Sequence, residues 1–284
     1  MNKKILGVRR AAMFSPNNTG NDSAVFSLTV KELENKGYYV RQVTEEEFFH
    51  LHNIEEETIF TMVRNQQNVH KLQQLENNGK TVINSGYGLE RCYRANFTID
   101  LIENNIPFPK SKIVSTTTTD YSVFNEFGDE GIWLKRGDFH TIHKEDISFC
   151  PNGQYAVNIL KEYALRGIPS VVVSEHLHGD LVKFYAVQDT PFFYWFYPLE
   201  KNHVKFFDAA HEETRHYKFD EQELINLAKK SADILNIKIY GGDAIISSKG
   251  EIKLIDVNDW PSFSPCRDEA AGFIADCIVK NMKS

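Results

Sequence analysis

The sequence predicts an α/β N-terminal domain followed by an α+β region built mainly of strands. Three observations carry this reading. Ile5 to Val43 has the order strand, loop, helix, strand, which is a βαβ unit. From Gly131 onward, β-prone segments outnumber helical ones. Gly241 to Pro261 reads as two strands joined by a tight turn, with acidic and amide oxygens gathered at one end.

The elements follow in order. Ile5 to Val8 is the first strand. Ser15 to Asp22 is polar and turn-rich, hence a loop, and Ser23 to Lys36 is a helix with Val25, Leu28 and Leu33 on one face. Gly37 sits where a glycine ends a helix. Tyr38 to Val43, Ile59 to Val63 and Thr81 to Ile83 are strands, with a polar helix over Asn65 to Asn77. Leu89 to Asn104 is expected as one helix, which Ile106-Pro-Phe-Pro109 breaks. Ile113 to Ser115 is extended, Tyr121 to Phe127 helical, Gly131 to Arg136 a strand and Gln154 to Leu165 a helix. Strands follow at Ser170 to Glu175, Leu181 to Val187, Phe192 to Tyr197 and Val204 to Phe207. Asp220 caps a helix to Leu235, with Glu223 placed to complete a capping box. After the hairpin, Asp268 to Lys280 is the last helix.

Composition narrows the function classes. A chain of 284 residues suits two or three subdomains. Its 42% hydrophobic and 25% charged content is ordinary for a globular protein. A net charge of −7 argues against a nucleic-acid partner held by bulk charge. Cys92, Cys150, Cys266 and Cys277 are scattered without a CxxC, which fits reduced thiols in a cytoplasmic protein. No segment approaches the roughly 20 apolar residues of a membrane span. The first strand is followed by neither a Walker A loop nor a G-x-G-x-x-G, and no G-x-S-x-G elbow occurs. Oligomeric state is left open.

The hairpin carries the most chemistry. A two-residue turn pairs Ser248 with Glu251, and therefore Ile246 with Lys253 and Asp243 with Asp256. Asp256 and Asn258, two apart, share a strand face. Three oxygen-bearing side chains then converge, a donor set suited to magnesium and nucleotide phosphates. The plainer alternative is an exposed hairpin whose acids face water. Lys135 ends the strand Gly-Ile-Trp-Leu-Lys and can reach a phosphate from a rigid position, or sit on the surface. Val171 to Tyr185 reads as strand, turn, strand. Ser174 and Glu175 lie at its polar end, and Lys183 inside an apolar strand calls for a carboxylate or an anionic ligand unless it faces water. His176 and His178, with His140 and His143, have no further ligand at zinc spacing.

Taken in order, these pieces resemble the ATP-grasp superfamily over Val82 to Lys280. Val-Ile-Asn84-Ser, Arg91-Cys-Tyr-Arg94 and Ile106-Pro-Phe-Pro109 resemble the segment that opens the family's nucleotide-binding region. Ile-Trp-Leu-Lys135 resembles its phosphate-binding strand, and Ser174-Glu175-His176-Leu177 its adenine and ribose hinge. Lys183 falls where relatives carry a cation near phosphate or substrate. Asp243, Asp256 and Asn258 match the magnesium ligands. Asp-Val-Asn is closest to the ATP-grasp inositol phosphate kinases, whereas glutamate ligases more often carry Glu-Val-Asn. Two departures are Arg94 in place of a lysine and the sequence Arg-Gly-Asp-Phe-His after Lys135, where a glycine-rich loop is usual.

The resemblance implies a pre-ATP-grasp domain over 1–85, a central subdomain over 86–170 and a C-terminal subdomain over 171–284. ATP and Mg2+ would lie between the last two, with Arg94, Lys135, Ser174, Glu175, His176, Leu177 and Lys183 as nucleotide contacts. The implied activity is carboxylate–amine ligation through an acyl phosphate, on small-molecule carboxylate and amine substrates, with Lys183 and Arg267 as catalytic groups. Arg267 could hold an anionic substrate group or be a surface arginine at a helix start. A small-molecule kinase is the second reading, and an ATP-binding protein without turnover the third. No nucleic-acid or membrane partner is implied.

Overall fold

The structure, a computed structural model, describes residues 4–198, 200 and 214–283. The first sheet is built from β1 (Lys4–Val8), α1 (Thr19–Asn35), β2 (Tyr39–Val43), α2 (Glu45–His50), β3 (Thr58–Thr61), α3 (Gln66–Asn77) and β4 (Thr81–Ile83). Its order is β2-β1-β3-β4 and its pairing parallel throughout. Both faces are covered, so β1 and β3 are buried almost throughout, while the edge strand β2 keeps exposed positions at Tyr39 and Gln42. Ile5 and Phe60 pack with Phe26 and Leu33 of α1, while Leu6 and Ile59 pack with Phe48 of α2 and Leu72 of α3.

Two features here depart from expectation. The first helix begins at Thr19, inside the polar segment expected as loop, where the Asn18 carbonyl accepts from Asp22 N at 2.9 Å. Thr44-Glu-Glu-Glu47 forms a full capping box that starts α2, a helix that was not foreseen.

The single helix expected over Leu89 to Asn104 is two helices, α4 (Gly86–Arg91) and α5 (Arg94–Glu103). Tyr93 takes extended backbone (φ −65°, ψ 137°), which breaks the helix and makes Arg94 the first residue of α5. The second sheet then comprises β5 (Ser111–Ser115), β6 (Ile132–Arg136), β7 (Ile147–Cys150) and, after α6 (Gly153–Leu165), β8 (Ser170–Glu175). Its order is β5-β8-β6-β7, antiparallel, and β7 replaces part of the loop expected after Arg136.

The third sheet comprises β9 (Asp180–Val187), β10 (Phe193–Phe196) and, after α7 (Glu221–Leu235), β11 (Ile239–Ile246) and β12 (Ile252–Asp259). It is antiparallel, in the order β10-β9-β11-β12. Asp220 caps α7 by accepting from Gln222 N and Glu223 N, without the return bond from Glu223. The expected strand Val204 to Phe207 lies outside the described residues. The last helix, α8 (Arg267–Lys280), returns to the first sheet. Its Ile274 and Ile278 share a core with Ile5, Phe26 and Trp260.

Asn84 fastens the first sheet to the third. It is fully buried; its Oδ1 accepts from Lys238 N (2.8 Å) and Ile239 N (2.9 Å), and its Nδ2 donates to Ile239 O (2.7 Å). Each buried backbone group left unpaired costs ~1–3 kcal/mol. Asn84→Ala is therefore expected to lower the unfolding free energy by about 2–4 kcal/mol. Urea denaturation measures this, and a loss below about 0.5 kcal/mol contradicts the role of Asn84 as a fastener.

Candidate active site

The second and third sheets face each other across a narrow cleft. Alternation along β6 sends Trp133 and Lys135 into it and Leu134 into the core against α6. Leu177 and Leu181, with Ile245 and Ile255 from the hairpin, complete a largely apolar slot. Arg94, Lys135, Asp243 and Asp256 line it too and give it a charged side.

The hairpin reaches the expected pairing of Asp243 with Asp256 by an unexpected route. Ser247 N donates to Glu251 O, so the turn holds three residues, ending at Gly250 with φ +83°. That loop shifts the register by one: Ile246 pairs with Ile252, not with Lys253, and Ile245 pairs with Lys253. A β-bulge between Asp243 and Ala244 then skips Ile255 and restores the acid pair. The Ile255 carbonyl accepts from Lys135 Nζ at 3.3 Å. The two glycines before Asp243 leave room for neighbours. A Cβ on Gly242 would stand 2.4 Å from Asp256 O, and one on Gly241 2.8 Å from the Tyr185 ring.

Four charged groups form a row across this sheet. Lys183 on β9 lies opposite Asp243 on β11, which lies opposite Asp256 on β12. Lys183 Nζ is 3.1 Å from both Asp243 oxygens. Arg94 Nη1 donates to Asp256 Oδ1 (3.2 Å), and Asn258 Nδ2 donates to Asp256 Oδ2 (3.0 Å). The four charged side chains are 3–15% exposed. Arg94 also donates to Thr141 Oγ1 (2.9 Å), tying the row to the loop after β6. Burial, then the neighbouring Arg94, pushes the Lys135 ammonium down to about 8, against the opposing pull of Asp256 and Asp243.

A larger, polar pocket continues from this row toward the first sheet, lined by Arg10, Asn18, Asp22, Arg64, His140, Lys183, Tyr185 and Asn258 to Ser262, among others. Arg10 Nη1 donates to Asp22 Oδ2 (3.1 Å) and its Nη2 to Trp260 O (3.0 Å). Arg64 Nη1 lies 2.9 Å and His140 Nε2 3.5 Å from Asp259 Oδ1, the Asp259 side chain being fully buried. Burial and the adjacent Arg64 lower the basicity of His140, so it stays neutral. The loop Ser15 to Asp22, expected from the sequence to shape a substrate pocket, contributes Ser15, Asn18 and Asp22 to this lining, whereas sequence reasoning missed Arg10, Arg64, Tyr185 and Asp259. Only Asp259, next to the acid cluster, carried a local signal.

The predicted residues are placed as follows. Lys135, Arg94, Asp243 and Asp256 share the cleft with Ser174, Glu175 and Leu177. Lys183 and Asn258 stand in the adjoining pocket, with Asp243 and Asp256 at its boundary. Glu175 Oε1 accepts from Lys110 N (2.8 Å) and Lys253 Nζ (3.0 Å), so this carboxylate joins the second sheet to the third. His176 Nδ1 accepts from Trp133 Nε1 at 3.0 Å. Arg267 ties α8 to α1 by donating to Asn21 Oδ1 (2.7 Å), a residue that lines the larger pocket. No cluster of three or more His, Cys, Asp or Glu suited to a metal occurs among the described residues, and the described cysteines are free thiols. No described helix is long and apolar enough to cross a membrane.

No protein-family model matches the chain, and no curated protein matches it significantly. Solved structures do. D-alanyl-alanine synthetase A from Vibrio cholerae superposes with a TM-score of 0.71 at 12% identity, covering 99% of this chain and 98% of that one. The RimK domain ATP-grasp protein from Sphaerobacter thermophilus gives 0.69 at 15% identity, covering 97% and 99%. The ATP-grasp ligase PsnB, complexed with precursor peptide PsnA2 and AMPPNP, gives 0.63 at 12% identity, covering 99% and 98%. The chain therefore has the ATP-grasp fold along its whole length, as the sequence resemblance implied.

The depressed Lys135 basicity is measurable. In reductively methylated protein, the Lys135 NMR resonance is expected to titrate with a midpoint near 8. Below that pH the group is a cation, and above it the charge is lost. A midpoint above about 10, the ordinary lysine value, contradicts burial of this group in the cleft.

Proposed function

We propose that the chain is an ATP-dependent carboxylate–amine ligase. The observation that carries the reading is the row Lys183–Asp243–Asp256–Arg94 at the junction of two cavities, one apolar and slot-like, the other polar and larger. The slot suits a purine base, with Leu177, Leu181, Ile245 and Ile255 excluding water. Its charged side suits phosphates: Lys135 and Arg94 supply the cations.

Asp243, Asp256 and Asn258 offer only oxygen donors, and the two carboxylates face each other in register, so the set fits a hard divalent ion such as Mg2+. When bound, that ion would offset charge on the phosphoryl group during transfer. The chain's own part is to position. Lys135, held by the Ile255 carbonyl, keeps an ammonium beside the phosphates, and Arg94 adds a second cation. A substrate carboxylate oxygen attacks the γ-phosphorus, and ADP leaves. The amine of the second substrate then attacks the acyl carbon, phosphate leaves, and an amide remains. No side-chain nucleophile is needed. The matched structures include a D-alanyl-alanine synthetase and a ligase complexed with a precursor peptide, which makes amino acids and peptides the first substrates to test.

The kinase reading for a polyphosphate substrate loses support. It needs free cations, yet Arg136 is held by both oxygens of Asp138, and burial beside Arg64 disfavours the charged form of His140.

Incubation with ATP and pooled amino acids, short peptides and other metabolites is the direct test. ADP, free phosphate and an amide product are expected; a phosphorylated product without free phosphate identifies a kinase and overturns the ligase reading. Asp256→Ala should lower turnover at least about 100-fold, the scale seen when one electrostatic group at a reacting centre is removed. Lys135→Ala should weaken nucleotide binding about tenfold or more, and unchanged affinity removes it from the site.

A further inference from the structure

The oxygens assigned to the metal are already engaged by protein donors. Lys183 contacts both oxygens of Asp243, Arg94 takes one oxygen of Asp256, and Asn258 takes the other. The row therefore has the charge order plus, minus, minus, plus, and sums to zero. A divalent ion between the two carboxylates raises that sum to +2.

The flanking cations cannot withdraw far. Lys183 projects from the middle of a four-stranded sheet, paired on both sides, and is 4% exposed. Arg94 is 3% exposed, fixed at the start of α5, bonded to Thr141 and lying over the Phe97 ring at 5.7 Å. In a partly desolvated site, charges in contact interact strongly, and a divalent ion doubles the repulsion a single charge would meet. An entering ion therefore loses much of its attraction to the carboxylates through repulsion from Lys183 and Arg94. An anion carrying at least two charges reverses the balance: it takes over the two cations as hydrogen-bond donors and leaves the carboxylates to the metal.

We infer that Lys183 and Arg94 are exchangeable counter-ions that make divalent-metal binding conditional on a polyphosphate. The inference rests on the metal assignment proposed above and adds an obligatory coupling to it. The pair of ligands and the pair of cations form one exchange unit. Free metal meets carboxylates already matched by two cations, with Lys135 beside them as a third, and only metal and nucleotide together satisfy all four side chains of the row. By linkage, the metal tightens nucleotide binding by the same factor as nucleotide tightens metal binding.

The test is a titration with Mn2+, followed by the electron paramagnetic resonance of the free ion, with and without the non-hydrolysable analogue AMPPNP and with tripolyphosphate alone. Wild-type protein is expected to bind Mn2+ at least about 100-fold more weakly without a polyphosphate than with one, after correction for Mn2+ held by the free polyphosphate. Lys183→Met gives the discriminating sign. It is expected to strengthen Mn2+ binding to the nucleotide-free protein about tenfold, equivalent to ~1.4 kcal/mol, while weakening AMPPNP binding. A lysine that merely contacts phosphate leaves the nucleotide-free affinity unchanged, and that result overturns the inference. So does tight Mn2+ binding by nucleotide-free wild-type protein. Asp256→Asn separates the two levels: if this variant binds Mn2+ with AMPPNP as well as wild type does, the metal assignment itself fails. Circular dichroism confirms that each variant is folded.

Discussion

Two carboxylates held face to face inside a protein are the constraint on which the rest of this structure depends. Asp243 and Asp256 occupy directly opposed positions on β11 and β12, each 14–15% exposed. Like charges so placed repel, and the fold answers with a cation on each flank. Lys183 arrives through the pairing of β9 with β11. Arg94 arrives because the chain breaks at Tyr93 and starts a new helix, sending the guanidinium into the cleft from outside the sheet. A continuous helix over this stretch would place residue 94 in mid-helix and lose that direction of approach.

The same strand gathers the other parts of the molecule. Three residues after Asp256, Asp259 meets Arg64 from the first sheet's neighbourhood and His140 from the loop after β6. Trp260 follows, its carbonyl accepting from Arg10 and its ring stacked on Phe60 at 5.9 Å. The loop after β6 is itself pinned by aromatic contacts, Phe139 against Phe14 at 5.8 Å and against Tyr93 at 5.2 Å. The end of β12 is thus where all three sheets contribute side chains to one pocket. Burying one partner of such an ion pair alone is costly, so these contacts specify how the parts meet as well as holding them.

Legibility in the sequence followed the range of the interactions. The βαβ start, the strands of the second and third sheets other than β7, and the acid cluster were readable because alternation, turn residues and caps are local signals. The Asp243–Asp256 pair was readable even though the turn was misread, because the three-residue loop and the bulge at Ile255 each shift the register by one in compensating directions. Neither irregularity has a sequence mark strong enough to fix it alone; Gly250 fits both a two-residue and a three-residue turn. The break at Cys92–Tyr93 was not readable, since neither residue is a helix breaker and the first amide hydrogen of α5 to be satisfied from outside, Ala95 N, finds its partner at Gly137. Arg10 and Arg64 were invisible for a similar reason. Their role arises only when the first sheet closes against a strand some 200 residues away, a distance no window captures. Thr44-x-x-Glu47 is the opposite case: its capping signal is local and stands in the plain sequence.

The pocket's charge balance also bears on the chemistry. Arg10 faces Asp22, Arg64 faces Asp259, Lys183 faces Asp243 and Arg94 faces Asp256. Each of these four buried cations has its own anion, and Lys135, bonded to the Ile255 carbonyl, is the buried cation left in surplus at the cleft. A polyphosphate acceptor needs surplus positive charge to offset its desolvation, and any beyond Lys135 would have to come from breaking several of these pairs at several kcal/mol each. A substrate carrying one carboxylate, or a carboxylate and an ammonium together, needs no such rearrangement. It meets hydrogen-bonding side chains such as Asn18, Tyr185 and Ser262 in surroundings that are already neutral. The one place where charge must change hands is the row of four at the junction of the cavities. There, under the proposed reading, metal and phosphates would bring the change together, at the point where the proposed phosphoryl transfer has its charges.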